Sequence, residues 1–199
     1  RLTFGPRRFG WRRAVFVGAF LAIGLLMTLA NALGRALDPL HAPGYRQVDV
    51  GRPIFIVAPP RSGTTLLHRL MSLDPRLTSL ALWQTLFPSL TAYRLQAGLR
   101  ALDRGLGRPL ERIQAALAER VFRVWKGVHR TRFSEPEEDE AIFVLRLATP
   151  SVWMGVPFPG DLPEVATPDR GPRAGSLARS WAGTVRRHLF SERGRTLLA

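Results

Sequence analysis

The chain has 199 residues, enough for one ordinary domain or for one domain with an appendage. Its 46% hydrophobic and 22% charged residues exclude a disordered or low-complexity protein. The absence of cysteine excludes a disulfide scaffold, a thiolate metal site and a cysteine nucleophile.

The formal net charge is +14, and 28 of the 29 basic residues are arginine. The excess lies in residues 1–130, which suits an anionic ligand or an anionic membrane face, although solvated helix surfaces would give the same count. Because GC-rich coding also favours arginine over lysine, this charge does not by itself indicate nucleic-acid binding.

A basic flank, residues 1–13, precedes an apolar segment of 21 uncharged residues, 14–34. As a helix this segment is about 31 Å long, enough to cross the hydrocarbon core of a bilayer. We therefore expect a single membrane-anchor helix. A buried or monotopic helix and a cleaved export signal are the alternatives, the latter because residues 30–32 mimic a small-x-small cleavage site. The arginines of the flank favour an amino terminus in the cytoplasm, while the side on which the following domain lies stays open.

Residues 35–52 read as a linker, because the stretch from Asp38 to Arg52 holds two prolines and two glycines without periodicity. His41 stands alone there and is expected at the surface rather than as a metal ligand. The remaining residues, 53–199, form one predicted domain.

The domain opens on the pattern of strand, tight loop and helix. Residues 53–58 are apolar and rich in β-branched and aromatic side chains, which predicts a strand buried on both faces in a parallel sheet. Leucines recur at helical spacing in residues 66–73. Between them, backbone N–H groups around Gly63 can point into one concavity at the positive end of the helix dipole. This arrangement predicts a cradle for a phosphate or sulfate group.

The side chains of the loop support that prediction. Ser62, Thr64 and Thr65 add hydroxyl donors, and Arg61 adds a planar fork suited to phosphate or sulfate oxygens. The loop is not a Walker A motif, since Thr64 stands where that motif has its lysine. Mg-ATP hydrolysis is therefore not expected, and the cradle suits an anion that needs no metal clamp.

The stretch from Phe55 to His68, FIVAPPRSGTTLLH, resembles the 5′-phosphosulfate loop of sulfotransferases, and most closely that of bacterial, often membrane-associated members. The resemblance implies an α/β fold with a central parallel sheet flanked by helices, of the P-loop-like sulfotransferase type. It implies 3′-phosphoadenosine-5′-phosphosulfate as the donor, and transfer of a sulfuryl group to a hydroxyl or amine acceptor without a metal. The residues that would hold the 5′-phosphosulfate are Arg61, Ser62, Gly63, Thr64 and Thr65. Arg61 would also neutralise charge on the bridging oxygen as sulfate leaves.

An acidic cluster, residues 135–140, follows in the sequence. Acids at a helix start are stabilised by the helix dipole, which explains much of the run. Glu138 in addition shares a helical face with Ile142 and Leu145, and a partly desolvated carboxylate can accept a hydroxyl proton. The segment from His129 also resembles an acceptor-side segment of the same sulfotransferases. Glu138, or else Glu137, is the candidate base of the acceptor site, and His129 is the second candidate.

The rest of the sequence predicts mainly helices, over residues 93–104, 109–124 and 176–190. In the last of these, four side chains step by four along one face: Leu177, Trp181, Val185 and Leu189. Trp83 and Phe87 could line an acceptor pocket, but core packing is favoured for both.

Residues 195–199 resemble the start of a strand that, in sulfotransferases, leads to a catalytic lysine and histidine and later to the 3′-phosphate site. None of these is recognised within residues 1–199, so we expect a fragment that is inactive alone and binds the donor weakly. A P-loop kinase or other phosphoryl transferase is the second hypothesis. A non-catalytic basic membrane or nucleic-acid binder is the third.

Overall fold

The structure is a computed structural model that describes residues 11–59, 62–122, 139–146, 148 and 172–199. Its helices are α1 (Trp11–His41), α2 (Thr64–Met71), α3 (Leu82–Leu86), α4 (Leu90–Gly105), α5 (Pro109–Phe122) and α6 (Pro172–Ser191). Two 3₁₀ helices span Pro43–Gln47 and Asp139–Arg146. The strands are β1 (Leu77–Thr78) and β2 (Thr196–Leu197).

Helix α1 contains the apolar segment 14–34 and continues beyond it to His41, with Pro39 inside the helix. By length and composition it can cross a membrane. Residues 35–41, which were predicted to belong to a linker, are therefore helical. They remain helical because residues 31–41 pack on the rest of the chain. His41 is half-buried rather than on the surface, and its Nε2 lies 2.8 Å from Thr91 Oγ1.

One face of the second half of α1 docks on the domain. The Asn31 side chain donates to the Leu86 carbonyl at 2.7 Å, and both Asn31 and Asp38 are buried. A Cβ on Gly34 would lie 2.5 Å from Ser89 Oγ, so the Ser89 side chain lies against the α1 backbone as closely as glycine allows. Helix α1 is therefore fixed to the domain over about three turns.

The sheet is parallel, as predicted, but short. Its register pairs Leu77 with Thr196 and Thr78 with Leu197. On the other edge of β2, Ile54 forms a parallel bridge with Leu198, so the strand that is last in sequence lies in the centre. The strand start predicted at residues 195–199 is confirmed. The described chain is nevertheless mostly helical, and the complete central sheet expected for an α/β fold is not present in the described ranges.

The core beside this sheet is formed by α6. Val185 and Leu189 pack with Leu197 of β2, and Trp181 and Val48 lie against them. The predicted face of α6 is confirmed at these positions. By contrast, the prediction that residues 53–58 are buried on both faces is wrong, since Val57 is 89% exposed. Among the described residues only the β2 segment pairs with this strand, and both faces of a strand are buried only where other elements cover both faces of its sheet.

Helices α4 and α5 confirm the two helices predicted over residues 93–104 and 109–124. A side chain of the first helix caps the second: Asp103 accepts hydrogen bonds from the backbone N–H groups of Leu110 at 2.7 Å and Glu111 at 3.0 Å. Asp103 is buried, and it satisfies two of the N–H groups that a helix start leaves without intrahelical acceptors. The capping fixes the angle of the hairpin that the two helices form.

Candidate functional site

The candidate site is the loop between the Ile54 strand and α2. The final backbone hydrogen bond found for that strand runs from Ile56 N–H to Ala199 O at 3.0 Å. Pro59 is three residues further on, which in extended chain is roughly 10 Å. The loop therefore lies at the carboxyl end of a parallel strand, where ligands bind in open α/β sheets.

Gly63 makes the turn from loop to helix possible. Its φ of 87° and ψ of 12° are left-handed, a conformation that costs other L-residues roughly 1–2 kcal/mol. No atom of the described residues lies within 4 Å of a Cβ built there, so the glycine is required for its backbone and not for space at the side chain. The open side leaves room for a ligand to approach the backbone closely.

The backbone of Gly63 also organises the first turn of α2. Its carbonyl accepts from the N–H groups of Leu66 at 3.0 Å and Leu67 at 3.1 Å. The N–H groups of Thr64 and Thr65 stand at the helix start, where geometry provides no intrahelical acceptor. Both threonines are half-buried, and Ser62 and Gly63 are exposed. Together they form an N–H-rich helix start of the kind that binds anions.

The Ser62 hydroxyl has a local role in this structure. It donates to the Pro59 carbonyl at 2.7 Å, closing the loop across four residues. The sequence predicted this hydroxyl as a donor to the anion. To act as that donor it must rotate away from Pro59.

Four of the predicted donor-site residues lie together where the loop meets α2: Ser62 and Gly63 in the loop, and Thr64 and Thr65 at the start of the helix. The other predicted site residues, Arg61, Glu137, Glu138 and His129, lie outside the described residues, so their roles stay predictions. Ile142 and Leu145, which were predicted to share a face with Glu138, fall in the 3₁₀ helix that begins at Asp139, where Ile142 is buried.

The other side of α2 differs from a simple amphipathic pattern. His68 is buried, whereas the leucines that gave the helical spacing are exposed: Leu66, Leu67, Leu70 and Leu73. Ser72, which follows the helix, donates its hydroxyl to the His68 carbonyl at 2.7 Å. The helix is thus fixed at its end by a side-chain hydrogen bond.

Trp83 packs rather than lining an open pocket, as favoured from the sequence. Its ring lies edge-on to Tyr93 with centroids 5.0 Å apart, and the Arg100 guanidinium is 6.0 Å from its centroid. Tyr93 is desolvated, which raises the pKa of its hydroxyl above the usual range. These residues join α3 to α4.

Sequence reasoning missed a buried polar contact beneath the sheet. His188 of α6 lies with Nε2 2.9 Å from Thr78 Oγ1 of β1, and the imidazole is fully buried. Burial, and secondarily the charge of Arg195, lowers the pKa of His188 to about 4, so the ring is neutral at neutral pH. The available signal was its spacing, since His188 follows Val185 by three residues and shares its buried face.

Comparison of the sequence with models of known protein families identifies the family of this chain. The model of the sulfotransferase family matches residues 53–159, more than half of the chain. This chain therefore belongs to the sulfotransferase family. Neither the curated proteins nor the solved structures gave a significant match. The matched range contains the loop before α2 and every predicted site residue.

Proposed function

We propose that this protein transfers a sulfuryl group from 3′-phosphoadenosine-5′-phosphosulfate to a hydroxyl or amine acceptor. The observation that carries the proposal is the loop of Ser62–Thr65 at the start of α2, inside the range that matches the sulfotransferase family. The left-handed glycine and the threonine N–H groups fit an anionic group at close range. Because Thr64 occupies the place of the Walker lysine, a sulfuryl donor fits this loop better than Mg-ATP.

The chemistry follows from the charges. The acceptor oxygen or nitrogen attacks sulfur, the bond from sulfur to the bridging oxygen breaks, and adenosine 3′,5′-bisphosphate leaves with the electron pair. The N–H groups of Thr64 and Thr65 would hold the 5′-phosphosulfate, and Arg61 would neutralise the bridging oxygen. The acceptor proton would pass to Glu138 or, as the second candidate, His129.

We further propose that α1 attaches the enzyme to a membrane. Its apolar side chains before residue 31 are mostly exposed to solvent, which is costly without a lipid or protein environment. Cleavage within residues 30–32 would sever or remove Asn31, whose buried side chain bonds to Leu86. Retention of α1 as an anchor is therefore favoured over removal as a signal.

Nuclear magnetic resonance titration of the chain in micelles tests donor binding even when it is weak. With adenosine 3′,5′-bisphosphate we expect the amide signals of residues 62–65 to shift. A dissociation constant well above micromolar would fit our expectation that residues 1–199 bind weakly and do not turn over. Selective shifts with Mg-ATP, lost when magnesium is removed, would instead support a phosphoryl transferase.

A glycine pair provides the matched control. Gly63→Ala places a side chain in left-handed backbone and should weaken nucleotide binding about tenfold, corresponding to roughly 1–2 kcal/mol of backbone strain. Gly98→Ala lies in α4, where no atom in the described part of the chain is within 4 Å of the added Cβ, and should leave binding unchanged. Equal binding by both variants would contradict the role of the loop.

A further inference from the structure

Helices α4 and α5 keep an apolar face in solvent that their own packing does not use. In α4 the exposed leucines Leu95, Leu99 and Leu102 recur at helical spacing, and Leu106, directly after the helix, continues the row. In α5 the same holds for Leu110, Ile113 and Leu117. Leu106, between the two helices, is 66% exposed. A run of large exposed apolar side chains on paired amphipathic helices marks an interaction surface.

The polar side of this hairpin is basic. Residues 90–122 contain six arginines and three acids. One of the acids, Asp103, is buried in the cap of α5 and does not face a partner. Arg104 and Arg112 are exposed on the sides of the helices away from the leucines. Leucine on one face and arginine on the other is the composition of helices that lie in the interface of an anionic membrane.

The hairpin begins where α1 meets the domain. Thr91 of α4 donates its backbone N–H to Asp38 of α1 at 2.9 Å, and Arg94 donates to the His41 carbonyl at 3.0 Å. The hairpin and the apolar helix are thus directly joined. A bilayer that contains α1 lies next to the first turn of α4.

The length of α1 gives the level of the bilayer surface. A hydrocarbon core needs about 20 helical residues, so a span that begins at Ala14 ends near Leu33. Leu33, Leu37 and Leu40 form an exposed stripe, with Leu40 79% exposed, on the side opposite to Asp38. Docking of α1 on the domain, which starts at Asn31, therefore begins within about one helical turn of this surface.

From this juxtaposition we infer that the α4–α5 hairpin is a second membrane-binding element, which inserts its leucine face into the interface of an anionic lipid leaflet. The inference rests on the proposed membrane attachment of α1 and is independent of the sulfuryl-transfer chemistry. It makes the domain lie flat on the bilayer rather than stand off from it.

Single-cysteine reporters test the inference, because the chain has no cysteine of its own. The whole chain is reconstituted into nanodiscs of phosphatidylcholine, with or without phosphatidylglycerol. A fluorophore is placed at Leu102→Cys, at the matched position Ala97→Cys on the opposite side of α4, and at Leu21→Cys in α1. Quenching is then measured with iodide in water and with nitroxide-labelled lipid acyl chains.

We expect lipid quenching and protection from iodide at Leu102 in anionic discs, and the reverse at Ala97. Arg104→Gln and Arg112→Gln should each shift the docking equilibrium about fivefold toward the undocked state. Lipid quenching at Leu21 without quenching at Leu102 overturns the inference alone. Absence of lipid quenching at both sites overturns the membrane attachment as well. Protection from iodide at Leu102 without lipid quenching means that a second copy or another segment of the chain covers this face, which also overturns the inference.

Discussion

The buried ion pair between Asp38 and Arg187 makes the docking of α1 measurable. Asp38 Oδ2 accepts from Arg187 Nε at 2.6 Å, and the carboxylate is fully buried while the arginine side chain is 10% exposed. The second carboxylate oxygen accepts from the N–H and hydroxyl of Thr91. The guanidinium also donates to the Tyr45 hydroxyl at 3.1 Å and lies 4.7 Å from the centre of that ring. Removal of the arginine leaves a buried carboxylate without its cation.

We expect Arg187→Met to lower the free energy of unfolding by about 3–5 kcal/mol, the usual cost of leaving one buried charge unpaired. The matched control is Arg195→Met, because Arg195 pairs with Glu192 at 2.9 Å with both side chains partly exposed. Such a pair contributes about 0–1 kcal/mol. Denaturant unfolding of the whole chain in one fixed micelle measures both variants.

A double-mutant cycle with Asp38→Asn separates the pair from its surroundings. Once the carboxylate charge is gone, Arg187→Met should cost less, and the coupling should be roughly 1–3 kcal/mol. Equal losses for Arg187→Met and Arg195→Met would refute the reasoning. Additive losses in the cycle would mean that each residue stabilises the fold without the other. If Arg187→Met does not fold, Asp38→Asn alone must still destabilise more than Arg195→Met.

Three further predictions concern the packing of the described helices. Gly34→Ala should destabilise by about 1–3 kcal/mol, because the new Cβ overlaps Ser89. Gly24→Ala, where the described residues place no atom within 4 Å of the new Cβ, should be neutral or slightly stabilising, and thermal unfolding compares the two variants. Asp103→Ala should cost about 1–2 kcal/mol and reduce hydrogen-exchange protection at the start of α5, and unchanged protection there would contradict the capping. The pKa of His188 is lowered to about 4 in the folded chain. As the pH falls below 6.5, this imidazole therefore binds a proton in the unfolded chain but stays neutral in the folded chain. Stability should therefore decrease between pH 6.5 and 4, by up to roughly 3 kcal/mol, and His188→Gln should flatten that slope.

Local geometry explains what the sequence predicted well. The loop before α2 depends on a left-handed backbone conformation at one residue. A glycine at position 63 indicates that conformation from the local sequence alone. The buried face of α6 is likewise set by a spacing of four within one helix, and Val185 and Leu189 confirm it. Both signals lie within a few residues of the feature that they specify.

Long-range pairing explains what the sequence could not predict. Asp38 and Arg187 are 149 residues apart, and nothing local distinguishes Arg187 from the other 27 arginines. The same pairing is why the predicted linker is partly helical. Proline and glycine counts favour a break after residue 34, but tertiary packing overrides such weak local preferences. Exposure of the strand at Val57 also depends on distant neighbours and not on its own apolar composition.

Docking of α1 has a consequence for the geometry of the enzyme. A flexible linker of the predicted 18 residues would let the distance between the domain and the apolar helix vary by about 24 Å. Instead, Asp38 of α1 forms an ion pair with Arg187 of α6. Helix α6 packs on Leu197 of β2. The β2 segment in turn pairs with the Ile54 strand, which leads into the loop at Gly63. Each link is a buried contact or a backbone hydrogen bond, so the loop keeps one orientation relative to α1. If α1 is the membrane anchor that we propose, an acceptor would reach the loop at a level set by α1, and α1 would then help to position the site.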